Sequence, residues 1–522
     1  MGVMVLDIGT SAVRATVFDA AGNPTGHARR AIESACVESE VPGGRQFIPH
    51  RLWRAISSTA RAALKEAGTS GRGDSLCALG ATAQRFAWFF LDGRGDTLYA
   101  GPFSDLRSSR EAKELSLKKG PELLKETGQW PSPIRALPRL MWFQRHRPEI
   151  LDKTRSVLSL ADWVNFLLTG EKAMEIGALS EGLLWSLREA RPLDDLLAGL
   201  GLPSNLIPPA VSAGTVLGSL TPKAARTLGL PGGLPVVVAG GDSPCALLAA
   251  GGTKPGRTAV VAGTSAPVMK LIGRLEIDSD FHVTTTPHLI PETWILEGNT
   301  QRAGRTLSWY VETFLSPSGR KRRSQVYDRL EHEALKVEPG SRGLRAYLGP
   351  VVGHLDRFQG PVKSTLMGID TMDNSRFTLY ALGRAVLENI AMAIRGNLLN
   401  LERVGGGGDC PIGLTGGLTR SGLFNLILAS VLNRPVRKTP FVEGSTRGVL
   451  VLCHYGLGRY SSIEEAGRNL IPSPEEILPD PDWARRYAEV FEEWTGNYRI
   501  LAGLPDSWPG DTVTTQKERR MI

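Results

Sequence analysis

An aspartate closes an apolar run near the start of the chain and is followed at once by a glycine and two hydroxyl side chains: Asp7-Ile8-Gly9-Thr10-Ser11, with Arg14 three residues on. Phosphoryl transfer asks a protein for such a set. It needs little covalent help, but it needs backbone amides and hydroxyls around phosphate oxygens, a carboxylate-held Mg²⁺ and a placed nucleophile. A glycine lets the backbone approach a phosphate closely, and Arg14 offers a charge-assisted contact. The same residues also describe an ordinary β-turn. The tetrapeptide Gly-Thr-Ser-Ala returns at 263–266, again directly after an apolar β-rich run. Two phosphate-type loops about half a chain apart are what a duplicated domain with a nucleotide cleft would show. Between them, Asp242 follows Gly240 and Gly241. It fits either a helix N-cap or a general base at the end of a strand, and the second loop beyond it favours the base.

Strands must present these residues. Val3 to Asp7 and Val13 to Phe18 read as strands joined at Gly9, followed by a turn at 19–23 and a third strand. That order differs from the strand, loop, helix of a dinucleotide fold. No Gly-x-Gly-x-x-Gly opens a helix after the first strand, which argues against a dehydrogenase. Helical patterning follows at Leu52 to Ala67, a strand at Leu76 to Ala81, a hairpin from Trp88, and long helices at Ser108 to Glu126 and Ala136 to His146. Pro231-Gly232-Gly233 breaks the chain, and the apolar run Pro235 to Ala239 is expected to open a second α/β unit. The last third carries a long amphipathic helix, Phe377 to Leu401, then a strand at Ile412 to Thr415 entering Gly416-Gly417. The expected division is 1–235, 236–500 and a loosely held tail at 501–522.

Composition bounds the function classes. At 522 residues, 42% hydrophobic and 22% charged, the chain reads as a soluble protein of two large domains. Five scattered cysteines with no Cys-x-x-Cys pair suit a reducing, cytoplasmic setting without a disulfide framework or zinc site. No signal peptide is expected at the N-terminus, and the most apolar stretch, Leu234 to Ala250, is broken by Asp242 and Pro244, so no membrane partner is expected. The net charge of +8 is partly gathered in 320–323 and 517–520, without interleaved aromatics or a binding module, so no nucleic-acid partner is expected either.

The motifs together resemble those of the FGGY carbohydrate kinases: Asp7 to Ser11 with Arg14, Gly241-Asp242, Gly263-Thr264-Ser265, and Gly416-Gly417 with Arg420-Ser421, in family order over about residues 1 to 500. Ala303-Gly304 with Leu307 and Trp309 resembles the segment beside the nucleotide. The resemblance implies two actin-like, ribonuclease H-like α/β domains around a central cleft. ATP and Mg²⁺ are the implied cofactors, and a small sugar or sugar-like molecule the implied partner, with a second copy of the chain, as a homodimer, left open. By the same resemblance Asp7 lies near Mg²⁺ and the γ-phosphate, and Asp242 is the base and a second metal neighbour. Gly9, Thr10, Ser11, Arg14, Gly263, Thr264 and Ser265 line the phosphates. Gly304, Gly416 and Gly417 let the backbone approach adenosine, with Arg420 and Ser421 nearby.

Gln84, Arg85, Phe86 and Asp105 match sugar-binding positions of the family. Arg85 is shared with glycerol kinases and autoinducer-2 kinases, but the acidic residue usual beside it there is Phe86 here, which places an apolar wall where an acceptor would stand, unless Phe86 is a core aromatic. The text between motifs, such as Ala136 to Leu140 and Thr286 to Pro291, is nearest in flavour to autoinducer-2 kinases. A Gly-Glu-Arg stretch common in the family is replaced by Gly349 to Arg357. The expected function is phosphorylation of a small sugar-like substrate, including the linear autoinducer-2 precursor. A pentulose kinase and a catalytically weak nucleotide sensor are the alternatives.

Overall fold

A computed structural model describes residues 1–32, 36–68, 76–317, 323–353, 364–373 and 377–503. The tail from 504, most of the basic run at 320–323 and the replaced stretch at 354–357 lie outside the described residues.

The first half is organised on β1 (Gly2–Ile8), β2 (Ala12–Phe18), β3 (Pro24–Ala31) and β4 (Leu76–Ala83), with α1 (Pro49–Glu66) between the last two. An insertion follows, containing β5 (Trp88–Leu91), β6 (Thr97–Gly101), α2 (Ser109–Thr127), α3 (Ala136–His146), β7 (Ser156–Ser159), α4 (Leu160–Thr169) and α5 (Ile176–Glu181). The chain then returns through β8 (Val216–Ser219) and β9 (Pro235–Gly241) to α6 (Asp242–Ala249). The second half runs β10 (Thr258–Val261), β11 (Pro267–Ile272), β12 (Thr284–Pro287), β13 (Trp294–Asn299), α7 (Ala303–Tyr310), α8 (Leu379–Gly405), β14 (Ile412–Thr415), α9 (Gly422–Leu432), β15 (Val436–Lys438), α10 (Gly444–Gly456), β16 (Glu475–Ile477) and α11 (Pro481–Ala502).

Two sheets carry the molecule, ordered β8-β9-β4-β1-β2-β3 and β12-β13-β11-β10-β14-β15-β16. In each, three antiparallel strands (β1-β2-β3, β10-β11-β13) continue into two parallel ones (β4-β9, β14-β15). This shared order is the ribonuclease H-like arrangement used twice, as in actin-like ATPases. The division expected after residue 235 is corrected here. β9 pairs in parallel with β4 in the first sheet, Val236 opposite Leu79 and Val238 opposite Ala81, so Asp242 is carried by the first sheet. An apolar strand reads the same in sequence whichever sheet it joins.

Each face of the first sheet has its own core. On one side Met4, Leu6 and Ile8 pack with Val13, Ala15 and Val17 against Leu52, Ile56 and Ala60 of α1. On the other, Val3, Val5, Val237 and Ala239 meet Val449, Leu452 and Cys453 of α10, a helix supplied by the C-terminal half of the chain. That approach needs glycine: a Cβ on Gly80 of β4 would lie 2.5 Å from Val449 and 2.7 Å from Cys453 Sγ. α10 also crosses α6 backbone to backbone, since a Cβ on Gly448 would lie 2.1 Å from the Cys245 carbonyl oxygen. The α6–α10 pair therefore joins the two halves. Among the described residues no helix is long and apolar enough to cross a membrane.

Candidate active site

Successive residues of a strand face opposite ways, so Asp7 shares the α10 side with Val3 and Val5. Its Oδ2 accepts a hydrogen bond from Ser445 Oγ at 2.9 Å and lies 3.4 Å from an Arg14 terminal nitrogen. Ser445 stands in the first turn of α10, whose positive end also favours a carboxylate. Burial nevertheless pushes the Asp7 carboxyl above its ordinary value, against the lowering pull of Arg14 and Ser445. Arg14 bridges onward, its Nε 3.1 Å from Glu443 Oε1.

Asp242 opens α6, and the cap position falls to Gly241, so the N-cap alternative is overturned. Its Oδ1 accepts from Ser243 Oγ at 3.1 Å. Burial pushes its carboxyl up to about 6; Arg85 pulls it down and Asp7 pushes it further up, so the three groups share one field. Gly241 is required here, because a Cβ would lie 2.7 Å from the Arg85 stem.

The twin loops occupy equivalent places, β1 to β2 and β10 to β11. Gly9 N–H donates to the Ala12 carbonyl at 3.0 Å and Gly263 N–H to the Ser265 carbonyl at 2.9 Å. Thr10, Ser11 and Thr264 are exposed at the loop tips, and Ser265 is half-buried. Gln84 braces the first loop, its Nε2 donating to the Gly9 carbonyl at 3.4 Å. Its side-chain Oε1 is buried without a partner.

Gly304 and Gly416 both lean on the second loop. Gly304 N–H donates to the Gly263 carbonyl at 3.1 Å, and a Cβ there would lie 2.4 Å from that oxygen. Gly416 has φ of 107°, and a Cβ would meet the Ala262 carbonyl oxygen at 2.6 Å. A Cβ on Gly417 would meet open space, and Arg420 beyond it is exposed. Ser421 has a structural duty, its Oγ capping α9 by accepting from Phe424 N–H at 3.1 Å.

Arg85 is held by two carboxylates. One terminal nitrogen donates to Glu181 Oε1 at 2.8 Å and to Glu297 Oε2 at 2.7 Å; the other donates to Glu297 Oε1 at 2.7 Å. Phe86 is no inner-strand core residue. It sits in a turn at φ 63°, half-buried, its ring centroid 5.2 Å from the Arg85 guanidinium and 4.9 Å from that of Arg135. A left-handed conformation costs a bulky residue about 1–2 kcal/mol, a strain found mainly at functional sites.

Asp105 departs from its expected place in the pocket. It has no exposed surface and is enclosed by Tyr99 Oη, Arg107 Nε at 2.7 Å and Arg45 N–H at 3.0 Å. It fastens the loop after β6 and in this structure presents no surface to a ligand. His288 is likewise interior, burial holding its imidazole down at about 3 and so uncharged.

Glu181, Glu297, Glu443 and Ser445 are the residues sequence reasoning missed. Only Glu297 carried a signal, a carboxylate inside the apolar strand Trp294-Ile-Leu-Glu-Gly.

The class defined by this fold and cleft is the actin-like phosphotransferase. The model of the FGGY family of carbohydrate kinases matches the chain through its N-terminal domain at residues 2–249 and its C-terminal domain at 258–457. The chain belongs to the FGGY family of carbohydrate kinases, enzymes that phosphorylate small sugars with ATP. An autoinducer-2 kinase of Enterobacter sp. (strain 638) is 28% identical over 514 residues, covering 97% of this chain and 95% of the relative. The crystal structure of a xylulose kinase from Rhodospirillum rubrum matches with a TM-score of 0.82 at 27% identity, over 96% of this chain and 99% of that one. A ligand-bound xylulose kinase from Lactobacillus acidophilus matches with a TM-score of 0.84 at 16% identity, over 96% and 98% of the two chains, a likeness of fold alone.

Proposed function

We propose that the chain moves the γ-phosphoryl group of ATP to one hydroxyl of a small, sugar-like acceptor, the linear autoinducer-2 precursor being the first to try. The observation that carries this reading is the placement of Asp242, a carboxylate carried past the end of β9 to the start of α6, one oxygen held by Ser243 and the Arg85 stem packed against the preceding Gly241, with burial raising its pKa. A base with a pKa near the working pH combines an ionised population with a useful proton affinity.

The residues present fit nucleotide and metal. Exposed hydroxyls on Thr10, Ser11 and Thr264, the partly open Ser265, the open backbone at Gly417 and the unpartnered Gln84 Oε1 supply donors and acceptors that no protein group uses up. Asp7 and Asp242 are the hard oxygen ligands that would hold Mg²⁺, which when bound neutralises charge on the transferring phosphoryl group. Gly9 and Gly263 with the loop hydroxyls orient the phosphates, with Arg14 beside them. Gly304, Gly416, Gly417 and Arg420 form the adenosine side, where Ser421 acts through the helix it caps. Asp242 Oδ1 is engaged by Ser243, so Oδ2 takes the proton of the acceptor hydroxyl as the hydroxyl attacks. A cytoplasmic location suits an ATP-consuming enzyme with free thiols at Cys77, Cys245, Cys410 and Cys453.

A pentulose such as xylulose is the second acceptor class, favoured by the xylulose kinase relative at 27% identity. A weak nucleotide sensor is opposed by the intact Asp7 and Asp242. The test is ADP release across a panel of pentuloses, polyols and the linear autoinducer-2 precursor, with wild type and Asp242→Asn. The wild type is expected to turn over at least one of them, and the variant to lose about 10²–10⁴ in rate while still binding ATP. Normal turnover by the variant would remove Asp242 from the chemistry.

A further inference from the structure

Arg85 is the cation nearest the base, and its charge is already spent. Glu297 grips both terminal nitrogens in the parallel, two-point geometry in which a guanidinium and a carboxylate bind most strongly. Glu181 takes a further N–H of the same group. All three side chains are nearly closed to solvent, Arg85 at 9%, Glu181 at 6% and Glu297 at 7% exposure. Arg135, the next cation, is buried beneath the ring of Phe86 and donates to the Glu181 backbone carbonyl at 3.0 Å. The two cations thus face three carboxylates, Glu181, Glu297 and Asp242. Both terminal nitrogens of Arg85 are taken by carboxylates.

The carboxylates arrive from three separate elements. Asp242 opens α6 at the end of the first sheet, Glu181 closes α5 in the insertion, and Glu297 lies in β13 of the second sheet. Phe86 brings no carboxylate to Arg85; the two that bind it come from elsewhere in the fold, one of them from the second sheet.

Resting on the kinase reading above, we propose that Glu297 and Glu181 are specificity-determining residues of the acceptor pocket: by holding Arg85 they select a neutral, polyhydroxylated acceptor and reject one bearing a carboxylate. The physical basis is twofold. A carboxylate entering the pocket would meet a guanidinium already neutralised and an unbalanced negative field, and like charges brought together in a water-poor site repel strongly. A neutral hydroxyl, by contrast, can donate to a carboxylate oxygen or accept the Arg85 N–H groups that the clamp leaves over.

The experiment uses the full-length enzyme and two readouts, turnover by ADP release and acceptor binding by calorimetry in the presence of a non-hydrolysable ATP analogue. The probes are D-xylulose and the linear autoinducer-2 precursor as neutral acceptors, and D-gluconate as the acid. Wild type is expected to bind the better neutral acceptor and to discriminate against gluconate. Glu297→Gln keeps the shape, removes the charge and is expected to shrink that discrimination at least about tenfold with the KM for ATP unchanged. Glu297→Asp is expected to restore it. Glu181→Gln, expected to move it in the same direction, decides the matter if Glu297→Gln does not fold. A wild type that accepts gluconate as readily as the neutral probes, or folded variants with unchanged discrimination, overturns the proposal. Charge-dependent binding without turnover on any probe would leave the selectivity standing and sink the kinase reading; turnover with charge-blind binding would do the reverse.

Discussion

A half-buried carboxylate whose pKa is raised is one the fold holds at a cost. Asp242 ionises near 3.8 when unfolded and at about 6 in the folded chain. With the folded value raised, this group's contribution to stability is present below about pH 4 and is lost as pH rises through 6, a difference of up to about 3 kcal/mol. Asp242→Asn is therefore expected to melt higher than wild type at pH 8 while losing activity; an unchanged or lower melting temperature would mean that the carboxylate is not held at a cost. In wild type, kcat/KM is expected to rise through about pH 6 and then level. Burial sets the position of that limb and Arg85 holds it down, so Arg85→Ala is expected to move it to higher pH, measured as a pH–rate profile. An unmoved limb would mean that the titrating group is not Asp242. At this scale the sequence was legible where chemistry is contiguous, as in Asp7 to Ser11 and Gly241-Asp242. It was silent on Ser445 and Glu181, because a partner 438 or 96 residues away leaves no local pattern, and on the burial of Asp105, whose network with Tyr99 and Arg107 looks in sequence like any exposed polar triplet.

Elements divide in the same way. The hairpin from Trp88, the helix Ala136–His146 and the strand Ile412–Thr415 stand where periodicity and turn residues put them, since those signals are local. The sheet that receives β9 was not legible, because parallel pairing is set by residues far apart in sequence. The twin loops gain weight from their equivalent topological positions, each between the first two strands of its sheet. Thr264 is exposed at the tip of the second loop. Thr264→Val is thus expected to raise the KM for ATP or lower kcat with an unchanged melting temperature. An early-melting variant whose folded fraction keeps normal kinetics would make the loop structural.

For the whole molecule, the duplication readable in the repeated tetrapeptide becomes two sheets joined through α6 and α10. The closeness of that joint rests on Gly448, where a side chain would run into the Cys245 carbonyl. Gly448→Leu is expected to push the helices apart, lower the melting temperature by several degrees and reduce kcat, because overpacking a backbone contact costs about 1–3 kcal/mol or more. Unchanged stability and turnover would show that the joint tolerates separation. The crossing has a mechanical corollary. Points on a turning body travel in proportion to their distance from the axis, and Asp242 begins a helix of this joint. Were one half to rock against the other about this joint, the outlying parts would sweep through long arcs while Asp242 stayed almost at rest, as the bearing of a lever does.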